Sequence, residues 1–233
     1  MEKKYIVIIY ILMSAIKNRY QKKYGKKRRN YRKKPVSKVG QAMELANKAL
    51  VMAKAVKGLV NVEWKTLDGS FTTAPAASFS SPVYMTNCSQ GTSQSNRVGD
   101  SIRIKSVACN VTFHSGTADD TVRFILFLDK SPNGATPNVL EIYRNNNFDT
   151  FRNPDFMQRF VILTDKQINL SVTGQNEVSY RYYKEMNHEA KYQSNTATVS
   201  DAANGHLFAI WIARSGVVGV QTTGKYRIRY IDN

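Results

Sequence analysis

VRFILFL, Val122–Leu128, decides how this 233-residue chain folds. Apart from Arg123 it is apolar on both parities, so a strand built from it has no face for water and belongs at the centre of a sheet. HLFAIWIA, His206–Ala213, is a second stretch of the same kind. Around these two lie stretches that alternate. Tyr226, Ile228 and Tyr230 alternate with Lys225, Arg227 and Arg229, and Val178, Tyr180 and Tyr182 with Ser179 and Arg181. Val60, Val62 and Trp64 alternate with Asn61, Glu63 and Lys65. A period of two marks half-buried strands.

Ser101–His114 slips phase. Ile102 and Ile104 share one parity, Val107, Cys109, Val111 and Phe113 the other, and a β-bulge near Lys105–Ser106 returns both sets to one face. Phe160–Leu163 and Ile168–Val172 form a long strand or a bent pair. A long segment opening at Asp68–Gly69 and running to Asn96 reads as loop with a short strand near Val83–Thr86. Ser131–Pro137 is a turn region, Asn138–Asn147 an irregular or short helical excursion, and Asn187–Gly205 polar and loop-like. About eight main strands without solenoid or propeller repeats imply an all-β, two-sheet sandwich.

The front of the chain is different. Lys17–Lys34, KNRYQKKYGKKRRNYRKK, holds eleven Lys or Arg in eighteen residues and no acid. Such density repels itself and cannot enter a core, so it is expected to be disordered and to seek a polyanion. The candidate nucleic-acid-binding residues are Lys17, Arg19, Lys22, Lys23, Lys26, Lys27, Arg28, Arg29, Arg32, Lys33 and Lys34. Tyr20, Tyr24 and Tyr31 interleave them, and ring stacking favours single strands. A solvated tail and a nuclear-import signal are the plainer readings. Residues 1–58 hold 17 of the 34 Lys and Arg against Glu2 and Glu44 alone, whereas 59–233 are nearly neutral, so the charge describes an arm on a body.

Pro35 ends the basic run. Val36–Leu59 is rich in helix formers, with Ser37 as N-cap and Gly58 as terminal glycine. Val39, Met43, Ala46, Leu50, Ala53 and Val56 give an amphipathic helix whose apolar side requires a partner, the body or neighbouring copies, with a membrane surface as the alternative. Ahead of the arm, Met1–Ile16 carries Lys3, Lys4 and the apolar run YIVIIYILM. Three readings stay open: a signal peptide, a buried or membrane-seeking segment, or an artefact upstream of a true start at Met13.

Chemistry is sparse. His188–Glu189 opens HExxH, but Tyr192 stands where the second histidine belongs. His114 and His206 read as structural histidines at strand ends. Asp119, Asp120 and Asp129 read as turn acids before a cation site. Cys88 and Cys109 have no zinc spacing; a reduced setting is favoured over a single disulfide. No enzyme, cofactor or metal is expected. Lys225, Arg227 and Arg229 share one face of the last strand, either as a charged edge that blocks pairing or as a patch supplementing the arm.

The layout resembles the single jelly-roll capsid proteins of small circular single-stranded DNA viruses, the circovirus-like group. The basic arm carries the likeness, with NRVGDSIRIKSV at Asn96–Val107, similar to the family's lead-in to strand C, and NPDFMQRFVILTDKQINL at Asn153–Leu170. The helix departs from circoviruses and is closer to the arms of satellite-necrosis-type capsids; residues 1–12 match neither. The resemblance implies an eight-stranded jelly roll over 59–233, behind an arm at 1–35 and a helix at 36–58. It also implies some sixty copies in an icosahedral virion with the arms inside, packaging a single-stranded circular DNA. Nuclear import receptors, assembly in the host nucleus and a host surface receptor complete the expected partners. A cellular single-stranded nucleic-acid-binding protein with a β-sandwich domain is the rival reading.

Overall fold

A computed structural model describes residues 38–59, 63–216 and 219–232. The basic stretch 17–34 and residues 1–16 lie outside them. The chain divides into two units, 1–61 and 62–233.

The first unit shows one helix, α1 (Lys38–Leu59). It runs through Gly58 rather than stopping before it. Met43, Ala46, Leu50 and Ala53 are exposed, but so are Leu45, Val51 and Met52, which lie off that side. The expected stripe is therefore corrected to apolar surface that wraps around an alanine-rich helix. No described helix is long and apolar enough to cross a membrane.

The second unit contains β1 (Trp64–Thr73), β2 (Val83–Tyr84), β3 (Ser101–His114), β4 (Asp120–Asp129) and a short helix α2 (Val139–Ile142). β5 (Phe160–Leu170), β6 (Glu177–Tyr192), β7 (Ala202–Asn204), β8 (His206–Ala213) and β9 (Gln221–Asp232) follow. One sheet has the order β1-β9-β3-β6-β7 and the other β2-β8-β4-β5. All paired strands are antiparallel, and first and last strands are neighbours. Four strands per sheet, with the chain crossing between sheets in this order and β7 as a short extension, make a jelly roll. The Asn96–Val107 motif leads into β3, the D strand in lettering that begins at B, because the two-residue β2 takes the C place.

β4 and β8 sit side by side in the second sheet, and every residue of β8 is buried. Their inner residues, including Phe124, Leu126, Leu207 and Trp211, pack against Ile104, Val107, Val111 and Ile228 of the first sheet. Their outer residues, Ile125, Phe127, Phe208 and Ile210, form a second cluster with Phe79, Ile142, Tyr143 and Phe148. The excursion between β4 and β5 thus covers the back of the sheet, and the two-sided apolarity follows. Arg123 lies beneath that cover, donating from Nε and one terminal nitrogen to the Asp165 carboxylate (2.7 and 2.6 Å) and from the other terminal nitrogen to the Phe148 carbonyl (2.7 Å).

The bulge falls between Ile104 and Ser106, as the phase slip requires. Three expectations change. β1 begins at Trp64, which is exposed, and buries Lys65, Leu67 and Phe71, while Asp68 and Gly69 stay in the strand. β6 runs on to Tyr192, since the residues past the bulge still pair with Ile102–Ile104 of β3; only 193–205 is mostly loop. β9 lies between β1 and β3, so its cationic face is not an edge strand defended by charge.

Candidate nucleic-acid interface

The outward face of the five-stranded sheet is built by three antiparallel strands in register. On β9, Lys225, Arg227 and Arg229 are exposed while Tyr226, Ile228 and Tyr230 enter the core. The three cations proposed from sequence therefore share one face. Neighbouring β3 presents only short side chains beside them: Asn110 opposite Lys225, Ala108 opposite Arg227, and Ser106 opposite Arg229. β6 then rises on the far side, with Arg181 opposite Asn110, Tyr183 opposite Ala108 and Glu185 opposite Ser106. Short residues flanked by two rows of long ones leave an open groove of about 740 Å³ along β3.

Its electrostatics are uneven. Arg227 is held by Asp68 of β1 through two bonds, Nε at 2.7 Å and a terminal nitrogen at 2.6 Å. Those bonds hold the Asp68 carboxyl below its ordinary range. Arg229 stands across Ser106 from Glu185. Among the described residues, Lys225 and Arg181 make no ion pair, so the end near Asn110 is the most positive. At the opposite end, beside Ser106, Lys105 donates to Asn187 at 2.7 Å. The floor is dry beneath: Cys109 is buried there, and burial pushes its thiol up to about 12.

Sequence reasoning found one wall and missed the other. Arg181 and Tyr183 carried the signal of solvent-facing parity, opposite Tyr180 and Tyr182. Which strand they would face depends on strand order, which parity does not give. The fourteen proposed residues of Lys17–Lys34 lie outside the described residues.

The remaining polar residues have structural work. Fully buried Arg97 donates to the carbonyls of Cys88 (3.1 Å), Gly99 (2.5 Å) and Ser194, and lies over the Tyr192 ring. His206 places Nε2 2.7 Å from the Lys191 carbonyl, so that nitrogen donates, and Nδ1 accepts from Thr86 and Tyr84. Burial pulls it down to about 4. Asp129 is fully buried and bound twice by Arg159, and Asp119 accepts from the Val172 amide. Cys88 and Cys109 are both free thiols. Among the described residues no group of three His, Cys, Asp or Glu could hold a metal ion.

Comparison with known proteins adds kinship. The family model described as satellite tobacco necrosis virus coat protein matches residues 39–233. The capsid protein of satellite tobacco necrosis virus 1 is 34% identical over 145 residues, spanning 61% of this chain and 72% of that protein. The coat protein of satellite tobacco necrosis virus 2 is 27% identical over 144 residues, spanning 61% and 70%. Among solved structures, a chain of Desmodium yellow mottle tymovirus matches with a TM-score of 0.34 and 9% identity, over 73% of this chain and 88% of that one. Likeness of that size leaves the fold to rest on its own strand order. The matched relatives are satellite viruses, which corrects the circovirus side of the resemblance and keeps the side carried by the helix.

Proposed function

The chain belongs to the satellite tobacco necrosis virus coat protein family, and from that premise we propose that it encloses a single-stranded nucleic acid in a shell of its own copies. It is a viral capsid protein and a virion component, of a coat-protein family rather than an enzyme family. The rival reading as a cellular nucleic-acid-binding protein gives way to that kinship. The circular DNA genome and assembly in a nucleus are not carried forward, because the first rested on the circovirus likeness and the second on that likeness together with the basic run.

The observation that carries the genome-binding part is the groove: Lys225, Arg227 and Arg229 stand together on an exposed sheet, facing Arg181. With the eleven cations of Lys17–Lys34, one chain offers two sites for phosphates, a dense arm and a sparser shelf. Exposed apolar residues in the cover of the second sheet, Leu140 (50%), Phe151 (83%) and Met157 (49%), support burial against other copies. A sixty-copy icosahedron is the closed arrangement we expect. Outward loops would meet a host receptor, and the arm would also serve an import receptor where one is used.

Sedimentation of the expressed full chain tests assembly, and the ratio of absorbance at the nucleic-acid and protein maxima tests packaging. Large closed particles rich in nucleic acid are expected from the full chain. Deleting Lys17–Lys34 should give empty shells or shell fragments from a folded β body. Small oligomers from the full chain would defeat the proposal, and equal nucleic-acid content in both proteins would show that the arm is not the packaging element.

A further inference from the structure

We infer that the groove over β3 seats an unpaired nucleotide, its base on the Tyr183 ring and its phosphate between Lys225 and Arg181. This deepens the genome-binding reading and rests on it.

The register sets the geometry. Lys225 and Arg181 face each other across Asn110, one row along from Arg227 and Tyr183 across Ala108. Each wall stands one strand spacing from the floor, so the walls are about 10 Å apart. That width admits one polynucleotide strand. Rows on the same face are about 7 Å apart along the strand, which matches the reach from a phosphate to its own base.

Charge chooses the end at which the phosphate lies. Arg227 is engaged by Asp68, and Arg229 faces Glu185, so their fields are largely answered within the protein. Lys225 and Arg181 have no such partner among the described residues. A phosphate placed between them puts the base over the next row, where Ala108 leaves space and Tyr183 supplies a ring. Tyr183 is 59% exposed, and among the described residues no other ring or guanidinium stacks on it. Its hydroxyl leans toward Glu185 at 3.4 Å, which fixes the ring's direction without covering it. A duplex presents phosphates but hides the faces of its bases, so it can use the cations and not the ring. The groove therefore discriminates unpaired from paired strands, which a polycationic arm alone does weakly.

The test irradiates full-length protein with a short single-stranded oligonucleotide carrying bromouracil, then maps the adducts by mass spectrometry. Adducts on Tyr183 are expected, falling about tenfold when the complementary strand is annealed first. The double variant Arg181→Gln, Lys225→Gln should lose the Tyr183 adduct while adducts on residues 17–34 persist. Tyr183→Phe should keep the affinity that Tyr183→Ser loses. Adducts confined to residues 17–34, or equal Tyr183 adducts from duplex, overturn the inference and leave genome binding by the arm standing. No adducts anywhere, with particles free of nucleic acid, removes the parent reading too. Protection of Tyr183 from iodination in empty shells would make the groove a contact between copies and likewise overturn the inference.

Discussion

Gly69 of β1 lies directly opposite Tyr226 of β9, and the Tyr226 ring fills the space where a Cβ on residue 69 would stand, 2.2 Å from its Cζ. Two residues along, the relation is reversed: Phe71 lies opposite Gly224 and covers it at the same distance. Each glycine accommodates the aromatic across from it, and both rings are thereby laid flat into the core. Phe71 then stacks on Trp211 of the facing sheet, with ring centroids 4.9 Å apart. Gly69→Ala is expected to destabilise the fold by about 1–3 kcal/mol, because Tyr226 is buried and its hydroxyl is bound to Asn87. Urea unfolding checks this. Adding Tyr226→Leu should recover part of the loss; no loss from Gly69→Ala would show that the ring moves aside freely.

Arg97 should be among the costliest single sites to change. Its guanidinium ties the carbonyls of Cys88, Gly99 and Ser194, three separate loop positions around the start of β3. Removal leaves those buried acceptors without donors, a loss of about 3 kcal/mol or more. Arg97→Lys should recover little, since an ammonium on a flexible stem cannot serve three fixed directions as the planar fork does. Soluble yield and thermal midpoint of Arg97→Lys and Arg97→Met report the effect. A midpoint equal to wild type in either would refute the clamp.

These two sites show where reading the sequence succeeds and stops. VRFILFL is legible as central because both its faces are buried, and that signal is local. Its outer cover, the excursion holding Tyr143 and Phe148, is not legible, because the contact is made across tens of residues. Gly69 reads as a turn until Tyr226 is known to lie opposite it. Polar 187–192 reads as loop because its outward side chains face solvent, although its backbone still pairs with β3. The cationic parity of β9 is legible, but its inner place beside β3, and hence the second wall of the groove, depends on strand order.

His206 gives the fold an acid-sensitive joint. It ties Tyr84 of β2 and Thr86 just after it to the Lys191 carbonyl on β6, linking the two sheets. Burial holds it neutral down to about pH 4, against the pull of the Lys191 carbonyl and of Asp129; His188 and Arg97 push the same way as burial. The unfolded chain, with an ordinary imidazole near 6.5, binds the proton first. Stability is therefore full above about pH 6.5 and falls as pH drops toward about 4, by roughly 3 kcal/mol from this residue. Urea midpoints of the unassembled protein across that range measure the slope. His206→Gln keeps a donor and an acceptor but does not titrate, so its slope should be flatter; an identical slope would assign the acid loss elsewhere.

Asp68 and Arg227 give the sharpest test of what the groove's charges do. Both side chains are about half exposed, and their two bonds tie up the guanidinium without locking the fold. In wild type, Arg227 is expected to contribute little to counterion release, because its charge is already answered by a carboxylate. Asp68→Asn removes that answer and frees the guanidinium to take a phosphate. The logarithm of affinity for a single-stranded oligonucleotide, plotted against the logarithm of salt, should then steepen by about one phosphate contact. Lys225→Gln should flatten the same plot by about one, since its ammonium has no carboxylate to lose. Arg227→Gln should do something different from either. It leaves the slope nearly unchanged and lowers affinity at every salt, because a free Asp68 carboxylate now repels the strand. Thermal midpoints of all three variants should stay near wild type, which separates a binding effect from a folding one. If Asp68→Asn alters neither slope nor affinity, the polyanion does not pass over β9, and the arm alone holds it.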